Sequence, residues 1–98
     1  MFEAIKSITL ELENKETIDV KFHVPSCIEM EELEKKGVSN SNTINKFVIS
    51  IDGFESVKEF LNTPGTAYLA ATIASEVISS CMIKAKVKNS SLSSTASV

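Results

Sequence analysis

Few side chains in these 98 residues have the types and spacing that do chemistry, and His23 is the single histidine. A metal site there would need two or more further ligands from Cys27, Cys81 or a carboxylate, and no recognisable ligand spacing supplies them. His23 and Cys27 could in principle act as base and nucleophile. Four residues of separation across a strand-to-helix break do not fix that geometry, and no third group orients the imidazole. The acidic run from Glu29 to Glu34 lacks the glycine and the alternating Asp or Asn of a calcium loop and reads as a solvated helix face. Gly37, Gly53 and Gly65 stand apart from one another, so there is no phosphate-cradling loop. The expectation is a non-enzyme: no catalytic residues, no cofactor and no metal.

Charge narrows the partners. The net charge is -3 with a pI near 5.1, and all ten positive side chains are Lys. Without Arg, the residue suited to bidentate contact with phosphate or a guanine edge, no nucleic-acid partner is expected. No apolar run approaches the ~20 residues needed to cross a bilayer. The opening MFEAIKSITLELE alternates and carries acid where a secretion signal would be continuously apolar. These features place the chain in the cytoplasm, with no membrane partner. In that reducing setting Cys27 and Cys81 are expected as separate thiols, small and weakly polar enough for a core.

The elements that would position any site follow from periodicity. From Lys6 to Val24 the side chains alternate, with Ile8, Leu10 and Leu12 on one face and then Ile18, Val20, Phe22 and Val24, joined by the polar Glu13–Glu16. This is a β-hairpin with one apolar face that needs a cover. After Pro25, Ser26 and Glu29 have the spacing of a capping box, opening a helix with Ile28, Met30 and Leu33 on its apolar side. Lys35 and Lys36 suit its last turn and Gly37 its end. Residues 38–43, VSNSNT, read as a surface loop. Residues 45–51 read as a strand, with Phe47, Ile49 and Ile51 on one face and Val48 on the other, although a short apolar run equally fits a buried helical turn.

Asp52 with Glu55 repeats the acid-capping pattern and opens a short helix striped by Phe54, Val57, Phe60 and Leu61. Thr63 as cap and Pro64 at the first helical position then start the longest helix, expected at 64–83 and roughly 30 Å long. Leu69, Ile73, Val77 and Cys81 recur along it every four residues, with Ala70, Ala71 and Ala74 leaving room for a close neighbour. The expected fold is α+β: an N-terminal hairpin, joined by a third short strand, packed against three helices. One domain spans 1–88, and 89–98 form a disordered polar tail with too little apolar area to offset the entropy of ordering it.

Apolar supply is the informative surplus. A one-faced hairpin, two short amphipathic helices and a long helix that is apolar over much of its circumference offer more than a chain of this size need bury. Such a surplus marks a protein partner or self-association, unless the faces satisfy one another in a monomer. The candidate protein-binding residues are Phe54, Phe60, Leu69, Ile73 and Val77.

The order of parts resembles the small tail assembly chaperones of long-tailed bacteriophages. The segment IDVKFHVPSCIEMEELEKK, with Pro25 followed at once by an acidic helix, is similar to the start of many of them. FVISIDGFESVKEFLNTPGTAYLAATI, with Asp52-Gly53 and a proline helix start, is similar to their C-terminal half, and KAKVKN to their Lys-Asn ending. Together these cover residues 16–89. The chain departs from the family in having Ile51-Asp52 where a Trp precedes the Gly, and in continuing nine residues past Asn89. The resemblance implies a non-enzymatic protein of the host cytoplasm that binds the tape measure protein during tail assembly, recruits tail tube subunits and is absent from the finished particle. It also implies a longer frameshift product. The alternative is a structural virion or oligomer subunit that self-associates through its hairpin edge and apolar helix faces.

Overall fold

The alternation between Lys6 and Val24 builds the expected hairpin, β1 (Ile5–Glu11) and β2 (Thr17–His23), in a computed structural model that describes residues 3–82 and residue 85. Ile8 stands opposite Val20 and Leu10 opposite Ile18, which puts all four on one face. The turn closes when Leu12 N donates to Glu16 O at 2.7 Å and Lys15 N to Leu12 O at 2.9 Å. Lys15 takes the left-handed conformation (φ 73°) that a three-residue hairpin loop of this kind requires before the strand resumes.

Helix α1 (Cys27–Lys36) starts on the capping box that its sequence announces. Ser26 Oγ accepts from Glu29 N at 3.2 Å, and Glu29 Oε1 accepts from Ser26 N at 3.0 Å. Gly37 ends it at φ 115°, its amide donating to Leu33 O at 2.8 Å.

The next segment corrects the expected loop at 38–43, because residues Asn40–Phe47 form a helix, α2. Its residues are poor helix formers, so the helix depends on caps and packing rather than propensity. Ser39 Oγ accepts from Asn42 N at 3.1 Å, and Asn42 Nδ2 donates to Gly37 O at 2.9 Å. Thr43, Ile44 and Phe47 then share one buried face. That face packs against α4, and α2 also touches α1, α3 and β3.

The strand expected at 45–51 is shorter, β3 (Val48–Ile51), and its faces differ from simple alternation. It pairs antiparallel with β2 as Val20–Ile51, Lys21–Ser50 and Phe22–Val48, so Ile49 is an extra residue in the ladder, a β-bulge. The bulge turns Val48 and Ile51 inward, three positions apart, and leaves Ile49 49% exposed. Phe47, read as part of this strand, closes α2 and is buried. The sheet order is β1-β2-β3.

Helix α3 (Val57–Asn62) opens at Ser56 rather than at Asp52. Ser56 Oγ accepts from Glu59 N at 3.0 Å, and Glu59 Oε1 accepts from Glu55 N at 3.0 Å. Asp52 instead ties the end of β3 to β2: its Oδ2 accepts from Asp19 N and its N donates to Asp19 O, both at 3.0 Å. The longest helix, α4, runs Ala67–Ser80 and not 64–83, which makes it about 21 Å long. Thr63 closes α3, its hydroxyl donating to Glu59 O at 2.7 Å, and Pro64 with Gly65 (φ 91°) form the turn. Thr66 Oγ1 donates to Thr63 O and Phe60 O, holding that turn instead of capping α4.

The fold is α+β as expected, with a fourth helix. One core joins Val20, Phe22, Leu33, Ile44, Phe47, Val48, Ile51, Phe60, Ala70, Ile73, Ala74 and Val77, drawing on every element except β1. The tail at 89–98, like the lysines before it, lies outside the described residues. Within the core Thr43 Oγ1 is fully buried and has no hydrogen-bond partner. Thr43→Val keeps the shape and removes the orphaned hydroxyl, so it is expected to stabilise the domain by about 1 kcal/mol. In a thermal melt that is a rise of roughly 4–8 °C; a fall instead would mean that the hydroxyl is satisfied in solution.

Candidate protein-binding surface

The groups with chemical potential are occupied by structure. His23, at the end of β2, sits with Nε2 3.3 Å from Glu29 Oε1, the oxygen that also accepts from the Ser26 amide. The one imidazole therefore braces the strand-to-helix junction. Glu29 is held below the ordinary carboxylate range, chiefly by the Ser26 amide, which outweighs the opposing effect of burial, with lesser help from the Ser26 hydroxyl and His23. Since its folded pKa is depressed, Glu29 contributes stability at pH values above the ordinary carboxylate pKa and loses it as pH falls through the folded value. Glu29→Gln is expected to be less stable than the parent at neutral pH, with the gap narrowing below about pH 4.5. A gap that stays constant from pH 7 to pH 3 would sink this account.

Both cysteines are free. Cys27, expected in a core, is exposed, because the first position of α1 points it to solvent; its Sγ donates to Glu31 Oε2 at 3.9 Å. Cys81 is partly buried and donates to Ile78 O at 3.1 Å. Among the described residues, no group of three or more His, Cys, Asp and Glu is placed to hold a metal. An open cleft of about 580 Å³ lies between the start of α2 and the α3–α4 turn, where Asn40, Ser41, Asn62, Thr63 and Thr66 offer polar groups. Nothing lining it is ionisable, so it holds neither an acid–base pair nor an activated nucleophile.

The five side chains expected to meet a partner lie inside or against the core. Phe60, Ile73 and Val77 have no exposed surface, and Phe54 and Leu69 are partly buried. The Phe54 and Phe60 rings meet edge to face, centroids 5.1 Å apart at 85°. The physical reason is α2. The stripe on α4 that would face a partner if 38–43 were a loop is instead covered by Thr43, Ile44 and Phe47 of this own-chain helix.

The outer part of the hairpin is only partly covered by the described residues. Helices pack on β2 and β3, and β1 has β2 as its main neighbour. The buried inner face at Val20 and Phe22 gives way to Ile8, Leu10, Leu12 and Ile18, all only partly buried. Glu11 and Asp19 are exposed on the opposite face of the hairpin, and Glu13, Lys15 and Glu16 are exposed at its turn. The signal was present in the sequence, since the aliphatic residues are the alternating face that called for a cover. Which half of the hairpin received that cover was not.

The structure thus defines a small α+β domain in which, among the described residues, the aliphatic positions of the outer hairpin are only partly covered. No family model, no curated protein and no solved structure matches the chain. Among the described residues, no helix is long and apolar enough to cross a membrane.

Proposed function

We propose that the chain is a non-enzymatic phage tail assembly chaperone, which binds apolar segments of the tape measure protein in the host cytoplasm and brings tail tube subunits to it. The observation that carries this reading is the partly exposed aliphatic face at Ile8, Leu10 and Ile18, the stretch of sheet that the chain's own helices leave half covered. The resemblance over residues 16–89 supports it. The contact surface moves from the buried α4 stripe to this hairpin face, where a long helical partner can lay its apolar side.

Co-expression tests it. The tape measure protein is expected to stay soluble with the parent chain, and its capture to fall at least about tenfold with Leu10→Ala and Ile18→Ala together, a loss of roughly 1.4 kcal/mol. A melt of the variant separates lost contact from lost fold. A tape measure protein equally soluble with and without the chain, or a pull-down from infected cells that recovers no tail component, counts against the proposal. The second reading, a structural or oligomeric subunit, is favoured by the outer edge of β1, which none of the described residues pairs. Stoichiometric amounts of the chain in purified particles would select it.

A further inference from the structure

Among the described residues β1 pairs with β2 alone, and none of them pairs with its other edge. Val24 N donates to Ala4 O and Leu12 N to Glu16 O, which makes the even positions of β1 the ones whose backbone faces β2. The N–H and C=O groups of Ile5, Ser7, Thr9 and Glu11 therefore point outward. Lys6, Ile8 and Leu10 share the apolar face at this edge, and Ile8 and Leu10 are only partly buried. Beyond them stand the exposed acids of the hairpin tip, Glu11, Glu13, Glu16 and Asp19, against Lys15. Such an edge takes an extended strand with one aliphatic and one basic face.

The chain contains a sequence with that alternation. Residues 83–88 read IKAKVK, with Ile83, Ala85 and Val87 alternating with Lys84, Lys86 and Lys88. All but Ala85 lie outside the described residues, and Ala85 is exposed and belongs to no strand. We infer that copies of this chain associate by strand addition: residues 83–88 of one copy pair with the β1 edge of another. The three lysines face the acidic tip, and Ile83, Ala85 and Val87 cover Ile8 and Leu10. Pairing of β1 with β1 of a second copy is disfavoured, because a two-fold about Ile8 or Thr9 sets Lys6 of each copy opposite Leu10 or Leu12 of the other. Each contact uses one edge and one strand, so reciprocal exchange closes a dimer and head-to-tail exchange builds longer assemblies. The inference does not rest on the chaperone reading, and its test contains no other protein.

Two full-length variants separate the halves of the contact. Lys84→Glu, Lys86→Glu and Lys88→Glu together reverse the strand's charge at positions outside the core. Ser7→Pro blocks the edge without removing a β1–β2 bond, since the Ser7 amide points outward. Light scattering of the parent is expected to show mass rising with concentration, with each variant alone monomeric. The charge reversal should weaken association by at least about a hundredfold. Mixing the two variants should restore a one-to-one complex, since one supplies a working strand and the other a working edge. Should Ser7→Pro fail to fold, Glu11→Lys with Glu13→Lys takes its place and leaves the backbone unchanged. A parent that is monomeric at every concentration overturns the inference, as does a charge-reversed variant that associates like the parent, or a mixture that stays monomeric.

Discussion

Phe60→Ala is expected to lower the unfolding free energy by about 4 kcal/mol. The ring has no exposed surface, stands edge to face against Phe54 and fills the space between α3 and the core. Truncation removes its transfer free energy and leaves a cavity that the neighbours fill only in part. The backbone at this position also holds the α3–α4 turn, since Phe60 O accepts from the Thr66 hydroxyl and the Thr63 amide. A domain of this length has roughly 5–15 kcal/mol of stability in all, so the loss is a large fraction of it. Urea denaturation reads it as a lower midpoint at unchanged slope. Phe54→Ala, at a partly exposed site, should cost about half as much. A loss for Phe60→Ala under about 1 kcal/mol would mean that the ring is accessible in solution and would return it to the list of partner contacts.

The second large effect concerns the helix hidden in polar sequence. Ile44→Ala should cost about 3 kcal/mol, because Ile44 is fully buried on the face of α2 that meets α4. Ile49→Ala, two residues past Phe47 and bulged outward, should stay within about 0.5 kcal/mol of the parent. Simple alternation through 45–51 ranks these two substitutions differently, since it puts Ile49 on the inner face beside Phe47. Denaturation of the pair therefore tests the bulge and the helix together; a costly Ile49→Ala with a neutral Ile44→Ala would refute both.

How much was legible follows from the range of each interaction. Ser26 and Glu29 bond to each other across three residues, so α1 and its start could be read from spacing alone. The hairpin was readable for the same reason, its two alternating runs being separated by a short polar connection. Asp52 shows the limit. Its position before Glu55 looks like a cap, yet its carboxylate accepts from Asp19, 33 residues away, and Ser56 takes the capping role four residues on. Thr66 shows it again, its hydroxyl spent on Phe60 and Thr63 rather than on α4.

The candidate surface divides in the same way. The apolar inventory was visible, and so was the need of one hairpin face for a cover. Which apolar groups remain accessible depends on what the intervening chain does, and NSNTINKF carries too weak a local preference to announce a helix.

The sequence by itself determined the α+β class, the hairpin and its register of faces and the caps of α1, because each depends on residues within a few positions of one another. Only the tertiary structure decided that α2 exists, that a bulge turns Val48 and Ile51 inward, that Phe60, Ile73 and Val77 are core, and that Ile8, Leu10 and Ile18 are only partly buried. Those outcomes depend on contacts between segments far apart in the chain, where packing overrides local propensity and burial belongs to the assembled layers rather than to any one of them.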